Sequence, residues 1–175
     1  KEAPLELFFY HQPMTLARYP NQGFMKIGKV IDPGSVPRTG DYNERGAVFT
    51  YTDPRHKAWA GLKDIWFQGT FNSGFADDMI PVATIDTSQN QVKLAASHLY
   101  GVASGKDFQQ YFAQNILSEL DTAGEWYLDR ATGILYLFPP DKLQTATVHI
   151  SLLEDPIVCL EGVSHLVFRD VTVEV

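Results

Sequence analysis

Two carboxyl groups held about 5 to 9.5 Å apart across a cleft can divide acid, base and nucleophile roles on a bond between them. The acidic residues nearest to such a pair in this chain are Asp77 and Asp78, which follow Phe71-Asn72-Ser73-Gly74-Phe75-Ala76. Neighbouring residues on a strand point to opposite faces, so the two read as structural strand or loop residues, and Glu125 and Asp129 are no better placed. Five histidines, His11, His56, His98, His149 and His165, are scattered singly, without the helical i, i+3 or i, i+4 spacing that presents two metal ligands. Ser73 and Ser104 lie beside glycine as loop serines do. The sequence has no G-x-S-x-G elbow, no phosphate-cradling glycine loop and no Cys–His pairing of suitable spacing. Sequence reasoning therefore assigns no catalytic residue, no metal and no cofactor.

Binding chemistry is the next possibility. Flat aromatic rings at a surface stack on the apolar faces of sugar rings, and the tryptophans are Trp59, Trp66 and Trp126. Trp66 and Trp126 sit among alternating strand residues and are expected in the core. Trp59 neighbours Arg55, His56 and Lys57 and is expected at the surface, where Tyr42 and Tyr51 join it as candidate binding residues. Arg18 is the fourth candidate. Its planar fork suits a carboxylate, with Asp77 or Asp129 as the expected structural partner.

These side chains must be carried mostly by strands. Strands are expected at 5–10 and 14–19 around a turn at His11-Gln12-Pro13, and at 24–31 with Met25, Ile27, Lys29 and Ile31 on the core face. Pro33-Gly34, Pro37, Gly40 and Gly46 mark 32–46 as a long surface loop. Further strands are expected at 47–51 and 65–70, with one helical turn between them inside 55–62. A hairpin joins 77–86 to 91–94 through Thr87-Ser88-Gln89-Asn90. Phe108, Tyr111, Phe112, Ile116, Leu117 and Leu120 recur at helical spacing and predict an amphipathic helix over 106–120. A second hairpin starts at Trp126, turns before Gly133, whose positive φ suits the tight loop, and returns over 134–138 to stop at Pro139-Pro140. Strands at 146–150, 157–160, 166–168 and 171–173 complete the chain.

Three stretches carry a family resemblance. Gly124-Glu125-Trp126-Tyr127-Leu128-Asp129-Arg130-Ala131-Thr132-Gly133-Ile134-Leu135-Tyr136-Leu137-Phe138-Pro139-Pro140 resembles a segment of bacterial right-handed parallel β-helix proteins. These include xylosidase- and fucosidase-like glycoside hydrolases and related polysaccharide-degrading proteins. Residues 7–21, with Leu16-Ala17-Arg18-Tyr19-Pro20-Asn21, resemble a second element of that family, and 163–173 resemble the first rung of the β-helix. The resemblance implies a β-rich domain inserted between early coils, with the catalytic carboxylates on later coils. It places Asp77 in a structural element where Phe71 and Phe75 stand at positions that are commonly tryptophan. It also gives Arg18 a second expected role, facing the β-helix groove and contacting sugar hydroxyls. Secretion to an extracellular or periplasmic location follows from the resemblance alone.

Composition fits these expectations. With 45% hydrophobic and 13% aromatic residues the chain is a folding sequence, and its net charge of −7 speaks against nucleic acid or an anionic membrane as partner. The single Cys159 cannot form an internal disulfide and is expected as a buried, inert thiol in Ile157-Val158-Cys159-Leu160. No apolar run reaches the roughly 20 residues of a membrane span, and Lys1-Glu2-Ala3-Pro4 does not read as a signal peptide.

The expected fold class is mostly β: a β-sandwich or open barrel over 1–150 with one packed α-helix, then strands over 151–175 resembling the first rungs of a β-helix. The expected function is that of a non-catalytic inserted domain of a secreted β-helix carbohydrate-active protein. It would stabilise the β-helix and wall the substrate groove, with the remaining coils as partner. The alternatives are an independent carbohydrate-binding module and a purely structural or assembly domain. An exposed line of Trp59, Tyr42 and Tyr51 would favour binding, and a bare apolar patch around 158–175 would favour a scaffold.

Overall fold

The computed structural model describes residues 5–152 and 155–172; Lys1-Glu2-Ala3-Pro4 and Val173 lie outside them. In chain order its strands are β1 (Glu6–Phe9), β2 (Gln12–Pro13), β3 (Thr15–Leu16), β4 (Arg18–Tyr19), β5 (Met25–Lys26), β6 (Val30–Asp32) and β7 (Val48–Thr50). There follow β8 (Trp66–Thr70), β9 (Asp78–Asp86), β10 (Gln91–Leu94), β11 (Gln110–Gln114), β12 (Glu125–Asp129), β13 (Ile134–Leu137) and β14 (Val148–Ser151).

The largest sheet runs β4-β11-β8-β9-β10-β7-β6, with β5 also paired to β11. Strand β8 displays its period-two logic plainly: Phe67 and Gly69 are buried while Trp66, Gln68 and Thr70 are half-exposed. Strand β9 serves two partners. Its residues Asp78 to Pro81 pair with β8, and Val82 to Asp86 pair with β10. Proline, which has no N–H to give a ladder, stands at the handover, where the Pro81 carbonyl accepts the Ala95 N–H and the Val82 N–H reaches Ile65. The sheet thereby folds over on itself, and Phe49 of β7 meets Tyr111 of β11 edge-to-face at 5.5 Å. Residues 25–32 run the same way on the other side, pairing first with β11 and then with β7. The result is consistent with a β-sandwich and is not a closed barrel. Its core holds Phe49, Trp59, Phe67, Phe71, Val92, Leu94 and Tyr111, all fully buried.

Two three-stranded sheets flank this body, β14-β1-β2 and β13-β12-β3. In the first, Tyr10 and His11 both have positive φ, as a two-residue type I′ turn requires, so the turn falls one residue earlier than expected and Gln12 and Pro13 pair with β1. In the second, β12 runs parallel to β3 and antiparallel to β13, with Trp126 opposite Leu137 and Asp129 opposite Ile134. Gly133 has φ +72°, as expected.

Several expectations need correction. The helix expected over 106–120 is strand β11 followed by a 3₁₀ turn at Leu117–Glu119. The α-helix among the described residues is α1 (His56–Trp59), a single turn inside the expected 55–62, started where Asp53 accepts the Arg55 N–H. Met25 and Ile27 are core residues, but Lys29 and Ile31 are exposed and Val30 packs on the core instead, because the segment crosses from β11 to β7 before reaching them. Phe71 packs inside while Phe75 is exposed. The strands expected at 157–160, 166–168 and from Val171 form no ladder in 155–172, and Ile157, Val158, Leu160, Val163, Leu166, Val167, Phe168 and Val171 are all exposed. Cys159 is exposed with them. An extended segment with no strand beside it has no ladder to join.

Candidate functional site

The site begins with β4. Tyr19 follows Arg18, and its phenol donates to Asp53 Oδ2 at 3.1 Å across 34 residues of chain. Asp53 Oδ1 accepts the Arg55 N–H at 2.9 Å, so one carboxylate fixes both the Tyr19 hydroxyl and the entry to α1. Helix α1 then delivers His56 into the core. The Asp53 carbonyl can only accept, so His56 Nδ1 carries the proton at 2.9 Å and Nε2 accepts the Tyr111 hydroxyl at 2.8 Å. Burial holds the His56 pKa below the usual imidazole range and pushes the Tyr111 phenol up. The pair is a neutral, locked bridge between α1 and β11. Tyr51 stacks flat on His56 at 4.4 Å.

Behind it lies a charged clamp. Glu119, fully buried, accepts Arg55 Nε at 2.9 Å and Nη2 at 2.8 Å and the Trp59 indole N–H at 2.8 Å. The Glu119 bonds raise the Arg55 pKa. Trp59, expected at the surface beside charged neighbours, is completely buried, because Glu119 from 60 residues away gives its N–H a partner.

Tyr19, Pro20, Phe24, Met25, Lys26, Thr52, Asp53, His56 and Tyr111 line a cleft of about 220 Å³. At its mouth the Phe24 ring, half-exposed, meets Phe112 at 5.7 Å. Arg18 covers Phe112 at 3.5 Å and donates to the Pro20 carbonyl at 2.9 Å and the Gly23 carbonyl at 2.8 Å. These carbonyls take the place of the expected Asp77 or Asp129; the nearby acid is Glu125, which accepts the Arg18 backbone N–H at 3.4 Å. Burial lowers the Arg18 pKa. Lys26, exposed at the rim, bonds the Asp107 carbonyl and Gln110. The lining holds a single carboxylate, Asp53, so the paired acids of glycosidic cleavage are not assembled there.

A second hollow of about 510 Å³ lies between Leu62, Lys63, Asn115, Leu117 and Tyr127. Of its polar side chains, Asn115 donates to Asp64 at 2.9 and 3.0 Å, and the Ser118 hydroxyl, which also lines it, donates to Glu119 at 3.3 Å. Among the described residues no group of three or more His, Cys, Asp or Glu is placed to hold a metal ion.

None of the four sequence candidates lines the cleft: Arg18 reaches it through the Pro20 carbonyl, and Trp59 lies behind Tyr19 and His56. Tyr51 is buried against His56, and Tyr42 is exposed in the 32–46 loop. The expected line of three surface rings is therefore not present. Sequence reasoning missed Tyr19, Phe24, Asp53, His56 and Tyr111. The available signal was that Tyr19 directly follows Arg18; Asp53 reads as an ordinary turn residue before Pro54.

The architecture is that of a mostly-β, sandwich-like domain. The sequence matches no family model and no curated protein. A solved structure named glycoside hydrolase shares the fold, with a TM-score of 0.56 at 15% identity over 86% of this chain. The chain spans 26% of that protein's length.

Proposed function

We propose that this chain is a non-catalytic domain of a secreted carbohydrate-active protein built on a right-handed parallel β-helix. Its work there is to brace the first coils and wall one side of the substrate groove. The division at residue 150, with 151–175 opening the β-helix, belongs to the same reading, as does an extracellular or periplasmic location. The observation that carries it is the apolar run from Ile157 to Val171, exposed throughout while the sandwich beside it has a complete core. Eight large apolar side chains in fifteen residues are more than an isolated surface segment keeps without a partner. The fold shared with about a quarter of a glycoside hydrolase supports the same reading.

Hydrogen exchange tests it. Backbone amides of 157–171 are expected to exchange at unprotected rates in the isolated chain and to become protected when the following coils are attached, while β8 and β11 stay protected in both. Protection of 157–171 in the isolated chain would sink the proposal.

A further inference from the structure

The cleft between the β4–β5 turn and Thr52–Asp53 has a chemistry of its own. We propose that it is a binding subsite for one neutral sugar ring, a reading that rests on the carbohydrate role above and gives that role a location. Size comes first. At about 220 Å³ the cleft falls below the range of drug-sized pockets and holds the volume of about seven waters, the scale of a single pyranose with its hydroxyls.

The lining selects the chemical class. An apolar ligand would desolvate Asp53, Lys26 and Thr52 without repaying their hydrogen bonds. An anion would meet the Asp53 carboxylate in a chain of net charge −7, with Lys26 already bonded to the Asp107 carbonyl and Gln110. A bare cation would find one carboxylate and an ammonium beside it. A neutral polyol with a C–H face suits all of these groups. Phe24 is half-exposed and backed by Phe112, so its ring is a supported platform.

Asp53 supplies the acceptors. A carboxylate has about four lone-pair sites, and the Arg55 N–H and the Tyr19 hydroxyl use two, which leaves about two for adjacent sugar hydroxyls. The same two bonds hold the carboxylate in place, so little orientation is lost when a ligand arrives. Tyr111 and His56 close the floor as a fixed, uncharged pair.

The test is two-dimensional NMR of the intact chain, titrated with neutral xylo-, cello- and manno-oligosaccharides and with oligogalacturonate. At least one neutral ligand is expected to bind in the millimolar range and to shift amides of Phe24, Lys26, Thr52 and Asp53 first. Phe24→Ala, a surface change, is expected to weaken binding tenfold or more with the thermal midpoint unchanged, and Asp53→Asn to weaken it further. No binding by a folded sample, shifts confined to another surface, a preference for oligogalacturonate, or binding indifferent to Phe24→Ala would each overturn the subsite. The exchange pattern of 157–171 is read independently, so loss of the subsite and loss of the scaffold reading are separate outcomes.

Discussion

Glu119 is the side chain on which the interior depends most, because the Arg55 fork and the Trp59 indole both end on it. Glu119→Ala leaves a cation and a buried N–H without an acceptor. Since Arg55 reaches solvent, the loss is expected at the lower end of buried-pair values, about 3 kcal/mol, read from urea unfolding. A loss below about 1 kcal/mol would mean water takes over the carboxylate's role. His56 gives a pH signature. Burial lowers its pKa in the folded state, so as pH falls through about 6.5 the unfolded chain takes up a proton that the folded chain refuses, and stability drops. The unfolding midpoint is expected to fall between pH 7.5 and 5.5 in the parent, and to fall less in His56→Gln. Parallel losses in the two proteins would count against that account.

Elements repeat this contrast between local and distant causes. An alanine Cβ at Gly69 would stand 2.1 Å from the Gln110 carbonyl oxygen and 2.6 Å from the Tyr111 Cα, both backbone, so β8 and β11 would have to separate. Gly69→Ala is expected to cost at least about 3 kcal/mol, the upper end of overpacking. Gly133→Ala meets open space and carries only the positive-φ penalty, about 1 to 2 kcal/mol. Equal midpoints for the two variants would contradict the close approach. The hairpins were legible in the sequence because period-two patterning and turn residues lie within a dozen positions. The 106–120 segment was not. Its aromatic spacing fits a helix, yet Tyr111 and Ala113 face the core while Gln110 and Phe112 face out, and β4, β5 and β8, distant in sequence, supply the pairing. The cleft was illegible for the same reason: Tyr19, Asp53 and Tyr111 meet only once the sheet has folded over.

At the scale of the molecule, the exposed run and the sandwich make separate demands. A chain ended after Leu152 is expected to keep its unfolding free energy within about 0.5 kcal/mol and to bind less of a hydrophobic dye, since no core residue comes from 155–172. A drop of several kcal/mol would mean that the segment packs on the body. Strand β9 sets a different kind of bond between parts. Half of it belongs to β8 and half to β10, so neither layer can open while the other keeps its strand straight. A protease working near the melting temperature would therefore meet an all-or-none substrate, and the digest would hold whole sandwich or small peptides, with no half-size fragment surviving between them.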